Sequence, residues 1–467
     1  STITDQTGIV FNFASARPCK QAITGNWFCE APVVVTSMTP STTGSGTTLR
    51  HGYQVNPEAF NGRTQSLDGR NDFTTSQPTV APPSLPLTLT ADQSLIKIES
   101  WTDAAQTGCP GSNPSWTCFK RAAVLTVVAA LPACNEPLMP PYMGSRKPIA
   151  CWDTIDYTSL LPNPRLALLP SDQLTVDQIM AIFGNKGPWT YNFRQHYIGR
   201  SSTILNMRRI GAPLGVTDND YELNYGPELA AAIGSALLRI TQPCTGEESK
   251  CEEIAYRIAE IGQGIWYANR YAGRSLHSDG AIYPGWKQAM LWYAMLFNRQ
   301  DIIDDISGTK RLVTYGYNQQ LMDDQFFYMG VAGTTALWGD FDSSGNCSSA
   351  QPSGNDTTRR CDESRDAGHC QTGTAVGVDC TSSQLKPTVA QQIANGRWAY
   401  GKYQLMSQWP ITDCAVANLI PTMRTKWDWE PLFLYCARIM AAPWSGACGQ
   451  HCADLAYPRE MLEAYGP

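Results

Sequence analysis

Between residues 251 and 299 apolar side chains recur at helical spacing twice, on either side of a short polar turn. Ile254, Ile258, Ile261 and Ile265 mark one face of a helix over about 252–271. Ala289, Trp292, Met295 and Leu296 mark a second over about 285–298. Two apolar-faced helices joined by a turn are the repeating unit of an all-helical hairpin array, so this stretch commits the second half of the chain to helix packing on helix. The turn, RSLHSDG, carries His277 and Asp279, with Tyr283 and Lys287 just beyond.

The period before that hairpin is different. Residues 1–150 hold extended apolar runs at 31–38, 94–101 and 122–130, punctuated by Gly, Ser, Thr and Pro clusters at 39–47 and 75–86. The last run is alanine-rich, but Val124, Thr126, Val127 and Val128 are β-branched and favour a strand. Such a pattern reads as a β-sandwich. A proline-rich connector follows to about 175, and its Leu, Tyr and Trp residues call for burial against the next domain. From about 174 the helical period takes over in LTVDQIMAIFG, PELAAAIGSALLRI, the central hairpin, VAQQIANGRWAYGKYQLMSQ and WEPLFLYCARIMAA. Thr175 is the expected N-cap of the first, and Gly226-Pro227 opens the second. The expected fold class is α+β and multidomain. An N-terminal β-sandwich (1–150) precedes an all-helical, barrel-like α/α toroid (176–467), with a Gly/Ser/Asp/Thr-rich, disulfide-held insertion at 339–386.

The 467 residues hold sixteen cysteines. Cys19/Cys29, Cys109/Cys118, Cys134/Cys151, Cys244/Cys251, Cys370/Cys380 and Cys448/Cys452 lie close in sequence, as loop-stapling disulfides do. No Cys-x-x-Cys is present, and Cys448, His451 and Cys452 lack a second half, so disulfides outrank zinc. Disulfides imply an oxidising compartment, hence a secreted, extracellular or periplasmic location. No charged-then-apolar leader is visible at Ser1, which is compatible with one already removed. Asn346-Cys-Ser and Asn355-Asp-Thr fit the N-glycosylation pattern, which has no consequence in a bacterium. A net charge of −6 argues against nucleic acid as a partner, and no run is apolar enough to span a membrane. The sequence does not fix the oligomeric state, and no cofactor or metal is expected.

The densest polar cluster is YNFRQHYIGRSSTILNMRRIG, at 191–211. Asn192, Arg194, His196, Tyr197, Arg200, Arg208 and Arg209 gather there in an acidic chain, and guanidinium groups suit an anionic ligand. The plainer reading is a helix face whose arginines pair with Asp218, Asp220 or Glu222. Abstracting a proton beside a uronate carboxylate needs a base, an acid and a group that neutralises the carboxylate. His196 with Tyr197, and His277 with Tyr283, are the candidate acid–base pairs, with Arg194, His196, Tyr197 and Arg200 near the sugar and Asp279 and Tyr283 opposite. A hydrolase would instead need facing carboxyl groups, for which Asp279, Asp323, Asp324, Asp413 and Glu430 are available. Trp266-Tyr267-Ala268-Asn269-Arg270-Tyr271 sets flat rings beside hydrogen-bonding groups, as sugar binding requires, though aromatics also fill helical cores. His51 and His451 rank lower as catalysts. No nucleophile elbow, phosphate-cradling loop, HExxH or Rossmann fingerprint is present.

HGYQVNP (51–57), RAAVLTVVAALP with MPPYMGSRKP (121–132, 139–148), SDGAIYPGWKQAML (278–291), DDQFFYMG (323–330) and WDWEPLFLYCARIM (427–440) span most of the chain. In these stretches it resembles a group of uncharacterised secreted bacterial proteins, common in planctomycetes. In that group the third stretch resembles ADGGHGxGRKxPIL. Asp279, Gly280, Gly285, Lys287 and Leu291 match, whereas Ile282 stands in the histidine position and Trp286 in the arginine position. The resemblance implies a β domain before an α/α toroid, a layout similar to several polysaccharide lyases and some glycoside hydrolases. The expected partner is therefore a polysaccharide. A lyase acting on an anionic glycan comes first, an inverting hydrolase second, and a non-catalytic binding or structural protein third. His196, Tyr197, Asp279 and Tyr283 are the expected catalytic residues. Asn192, Arg194, Arg200, His277, Lys287 and Trp266 are expected to hold substrate.

Overall fold

A computed structural model describes residues 1–5, 7–23, 25–57, 65–69, 80–100, 119–167, 175–183, 226–272, 285–308, 312–313, 319–320, 327–329, 336–338, 410–441 and 456–466. The chain is α+β: strands dominate its N-terminal part and helices its later part.

The first nine strands form two sheets. One holds β1 (Thr2–Thr4), β2 (Val10–Phe13), β5 (Val33–Thr39) and β7 (Leu87–Leu89), in the order β1-β2-β5-β7. The other holds β3 (Cys19–Gln21), β4 (Trp27–Glu30), β6 (Tyr53–Val55), β8 (Gln93–Ser100) and β9 (Phe119–Val128), in the order β3-β4-β9-β8-β6. All pairs are antiparallel except β4 with β9, where Trp27 sits opposite Leu125 in a parallel register.

Alternation along β8 and β9 sends side chains into two cores. Leu95, Ala123, Leu125 and Val127 join Phe11, Val33, Val35 and Leu89 of the first sheet in one buried cluster. Ile96, Ile98, Ala122, Val124 and Val128 face the other way, into a larger cluster shared with the helices. The second sheet is thus covered on both faces, so β8 and β9 read as almost unbroken apolar runs. A buried hydroxyl pair, Ser94 Oγ and Thr126 Oγ1 at 2.7 Å, satisfies itself between the two strands.

The connector packs as its composition requires. Leu138, Met139, Tyr142, Met143 and Trp152 are buried in the larger cluster. Trp152 Nε1 donates to Glu252, and the Tyr256 hydroxyl donates to the carbonyl of Pro137.

Nine helices lie among the described residues: α1 (Val176–Phe183), α2 (Gly226–Thr241), α3 (Glu248–Ala272), α4 (Trp286–Leu296), α5 (Gln300–Ile306), α6 (Pro410–Leu419), α7 (Met423–Trp427), α8 (Glu430–Ala441) and α9 (Ala456–Tyr465). Thr175 caps α1 reciprocally: Gln178 N donates to Thr175 Oγ1, and Thr175 N donates to Gln178 Oε1. α3 and α4 are the two helices of the central hairpin. Every residue of α4 is buried, Lys287 and Gln288 included, because α2, α3, α5, α6 and α7 surround it. Gly285 starts α4 at φ +83°, and a Cβ there would lie 2.3 Å from Ala230 Cα.

Beyond α5, β10 (Leu312–Val313) pairs with β11 (Gln319–Gln320), and β12 (Phe327–Met329) with β13 (Ala336–Trp338). The second hairpin packs on α8. The end of the run DDQFFYMG, Phe327–Met329, is thus a strand, as its aromatic residues favour. The insertion at 339–386 and the helix expected within VAQQIANGRWAYGKYQLMSQ fall outside the described residues.

Disulfides join Cys19–Cys29, Cys134–Cys151 and Cys244–Cys251, three of the six expected pairs. The other three involve residues outside those described. No helix among the described residues is long and apolar enough to cross a membrane. The three bonds are compatible with an extracellular protein.

Candidate functional site

The last turn of α3 assembles a group of aromatic rings. Tyr267 and Tyr271, four apart and so on one face, stack with centres 5.5 Å apart and planes at 27°. Trp266 meets both edge-on, at 4.7 Å from Tyr267 and 5.8 Å from Tyr271.

Arginines close on these rings from two other elements. Arg299 is the residue preceding α5, and its guanidinium carbon lies 5.5 Å from the Trp266 ring centre and 5.9 Å from that of Tyr267. Its fork is held by Asp301, with Nε donating at 2.8 Å and Nη2 at 2.6 Å. Nη1 donates to the hydroxyls of Tyr267 at 3.1 Å and Tyr293 at 3.4 Å. The Arg299 side chain remains 27% exposed.

The second arginine, Arg146, is placed by its neighbour. Lys147 is buried and donates to the carbonyls of Pro141, Tyr142 and Gly144, folding the connector into a compact loop. Gly144, at φ +65°, lies so close to α3 that a Cβ there would be 2.9 Å from the Tyr271 carbonyl oxygen. The loop therefore sits on the end of α3 and carries the exposed Arg146 over the Tyr271 ring, 5.5 Å from its centre. Arg270 is half-buried on the same turn.

The electrostatics fix which groups carry charge. Burial pushes the Tyr293 phenol up to about 12, and burial also raises Tyr267, with Arg299 pulling the other way. Both stay neutral near pH 7. They orient Arg299 and are poor bases. The Arg299 hydrogen bond holds Asp301 below the usual carboxylate range. Burial raises Asp305, against the pull of Arg270. The result is a surface of arginines over mostly buried rings, in which Asp301 pairs with Arg299 and the exposed Arg146 can meet an anionic ligand by ion pairing.

Of the residues expected to form a site, Trp266 belongs to this group. Lys287 is buried at the start of α4, where Nζ donates to the Trp427 carbonyl at 3.4 Å and lies 5.3 Å over that ring. Asn192, Arg194, His196, Tyr197, Arg200, His277, Asp279 and Tyr283 lie outside the described residues, as do Asp323 and Asp324. Asp413 is buried in α6, and Glu430 pairs with Arg424 through both carboxylate oxygens. His51 Nδ1 accepts from Ser100 N at 2.9 Å, and burial lowers its pKa, so it is a neutral structural acceptor. Arg146, Tyr293 and Arg299 were missed as site residues. The signal for the first was present in SRKP, which places two cations beside a glycine turn.

The fold and this surface define a disulfide-bonded α+β protein with an arginine–aromatic face at the end of its longest described helix. No protein-family model, no curated protein and no solved structure matches the chain.

Proposed function

We propose that this chain is a secreted carbohydrate-active protein that binds an anionic polysaccharide on the surface formed by Arg146, Tyr271 and Arg299 and cleaves it by β-elimination. The carrying observation is Arg299: its side chain lies over two rings, is braced by Asp301 and two phenols, and keeps exposed surface. A uronate carboxylate meeting such a group loses the charge that opposes proton abstraction at the neighbouring carbon. In this reading the base and acid come from His196, Tyr197, Asp279 and Tyr283, and the architecture is a β-sandwich preceding an α/α toroid. It also makes the chain one of the secreted bacterial group its sequence resembles.

The test incubates the full chain with polygalacturonate, alginate and neutral glycans, following ultraviolet absorbance of unsaturated ends alongside reducing ends. Absorbance and reducing ends rising together on a uronate polymer are expected. Reducing ends alone indicate hydrolysis by paired carboxylates. Binding without product indicates a non-catalytic role, which the isoleucine at position 282 would explain. Arg146→Ala should leave the thermal midpoint unchanged, because the side chain is exposed, while weakening uronate binding about tenfold, roughly 1.4 kcal/mol. Equal loss on neutral and anionic glycans would remove the charge argument.

A further inference from the structure

Cys414 in α6 and Cys436 in α8 are thiols, 1% and 2% exposed. The Cys414 sulfur lies 3.7 Å from the carbonyl oxygen of Leu432. Leu432 sits one helical turn before Cys436, and helical side chains lean toward the N-terminus of their helix. The Cys436 side chain therefore leans over the carbonyl that Cys414 already touches, and its thiol is among the groups that raise the Cys414 pKa. The helices that carry them pack directly together.

We propose that Cys414 and Cys436 form a disulfide that ties α6 to α8 under oxidising conditions. One thiolate attacks a low-molecular-weight disulfide such as oxidised glutathione and expels a glutathione thiolate. The second cysteine thiolate then displaces the other glutathione, leaving the new bond. In sum, two thiols lose two protons and two electrons, and one small disulfide is reduced to two thiols. Burial raises the Cys414 pKa, so little thiolate exists once the helices have closed, and exchange belongs to folding. The three bonds described above span 7, 10 and 17 residues. This one would join two helices across 22 positions.

The test folds the full chain in a glutathione redox buffer, denatures it in iodoacetamide without reductant, digests it and identifies linked peptides by mass. Measurement is made on protein whose Cys19–Cys29, Cys134–Cys151 and Cys244–Cys251 bonds are present. Expected is a single species holding both Cys414 and Cys436 that separates on reduction, with near-complete loss of the alkylated forms. In Cys414→Ser, Cys436 should become fully alkylated. Recovery of both cysteines alkylated in the unmutated chain, or of either one bonded to another cysteine, overturns the proposal.

Discussion

Lys97 is a cation buried between the two sheets. It follows Leu95 on the face of β8 that meets the first sheet, with no exposed surface, and its ammonium lies 5.8 Å from the centre of the Tyr53 ring. Nζ donates to Thr42 Oγ1 and to the His51 carbonyl, while Glu99 attracts it from two positions along. These partners do not replace its hydration, and burial pushes it down to about 7 from the usual 10.5. Above pH 7 and below the ordinary lysine range, the unfolded chain holds a proton here that the folded chain lacks. Stability from this residue therefore rises with pH across that window. Relative to Lys97→Met, the native chain should gain about 2 kcal/mol between about pH 7 and about pH 9, read from urea midpoints. Parallel curves would mean that the ammonium is better solvated than its burial implies. Burial pushes Lys147 well below the ordinary lysine range too, although three carbonyls accept from it and shape the loop that carries Arg146.

Helices here are held at close range by what their residues lack. In α3, a Cβ on Gly262 would lie 1.9 Å from the Ala289 carbonyl oxygen and 2.5 Å from its carbon, both backbone atoms of α4. Neither can rotate away, so Gly262→Ala must separate the two helices. Loss of about 2–3 kcal/mol is expected, seen as a lower denaturation midpoint with an unchanged slope. A neutral outcome would mean that the pair is more loosely packed than this contact requires. The same helices show what could be read from sequence. Their period, the Thr175 cap and the long strands β5, β8 and β9 follow from local pattern. The short strands β1, β3, β4 and β6 did not, because three or four half-buried residues carry little periodicity. Their partners also lie far away, as Trp27 opposite Leu125 shows. The candidate surface was half legible for a related reason. WYANRY announced the rings, but Arg146 and Arg299 reach them only through tertiary structure, one by the Lys147 loop and one by the turn before α5.

At the scale of the molecule, the second sheet belongs to two cores at once. Ile96, Ile98, Ala122 and Val124 share a cluster with residues from α1 through α9, while Leu95, Ala123 and Leu125 share another with the first sheet. Unfolding the helices alone would dismantle the cluster that buries one face of β8 and β9, at about 25 cal/mol for each Å² of apolar surface exposed. Unfolding the strands alone would strip the helices and the connector, whose Trp152 and Tyr256 meet at 5.4 Å, of the same contact. Neither half has a low-cost way to open by itself, so with its disulfides intact the chain should show one calorimetric transition whose van't Hoff and calorimetric enthalpies agree. Ile98→Ala tests the cause. The side chain sits on β8 but belongs to the cluster shared with the connector and the helices, and its loss should cost about 2–5 kcal/mol. Helical ellipticity and the near-ultraviolet signal of the tryptophans should then fall together, at a midpoint lowered equally for both. If the helical signal kept its midpoint while the remainder shifted, the shared sheet would be a contact between two independently stable parts, and the coupling inferred from its two buried faces would fail.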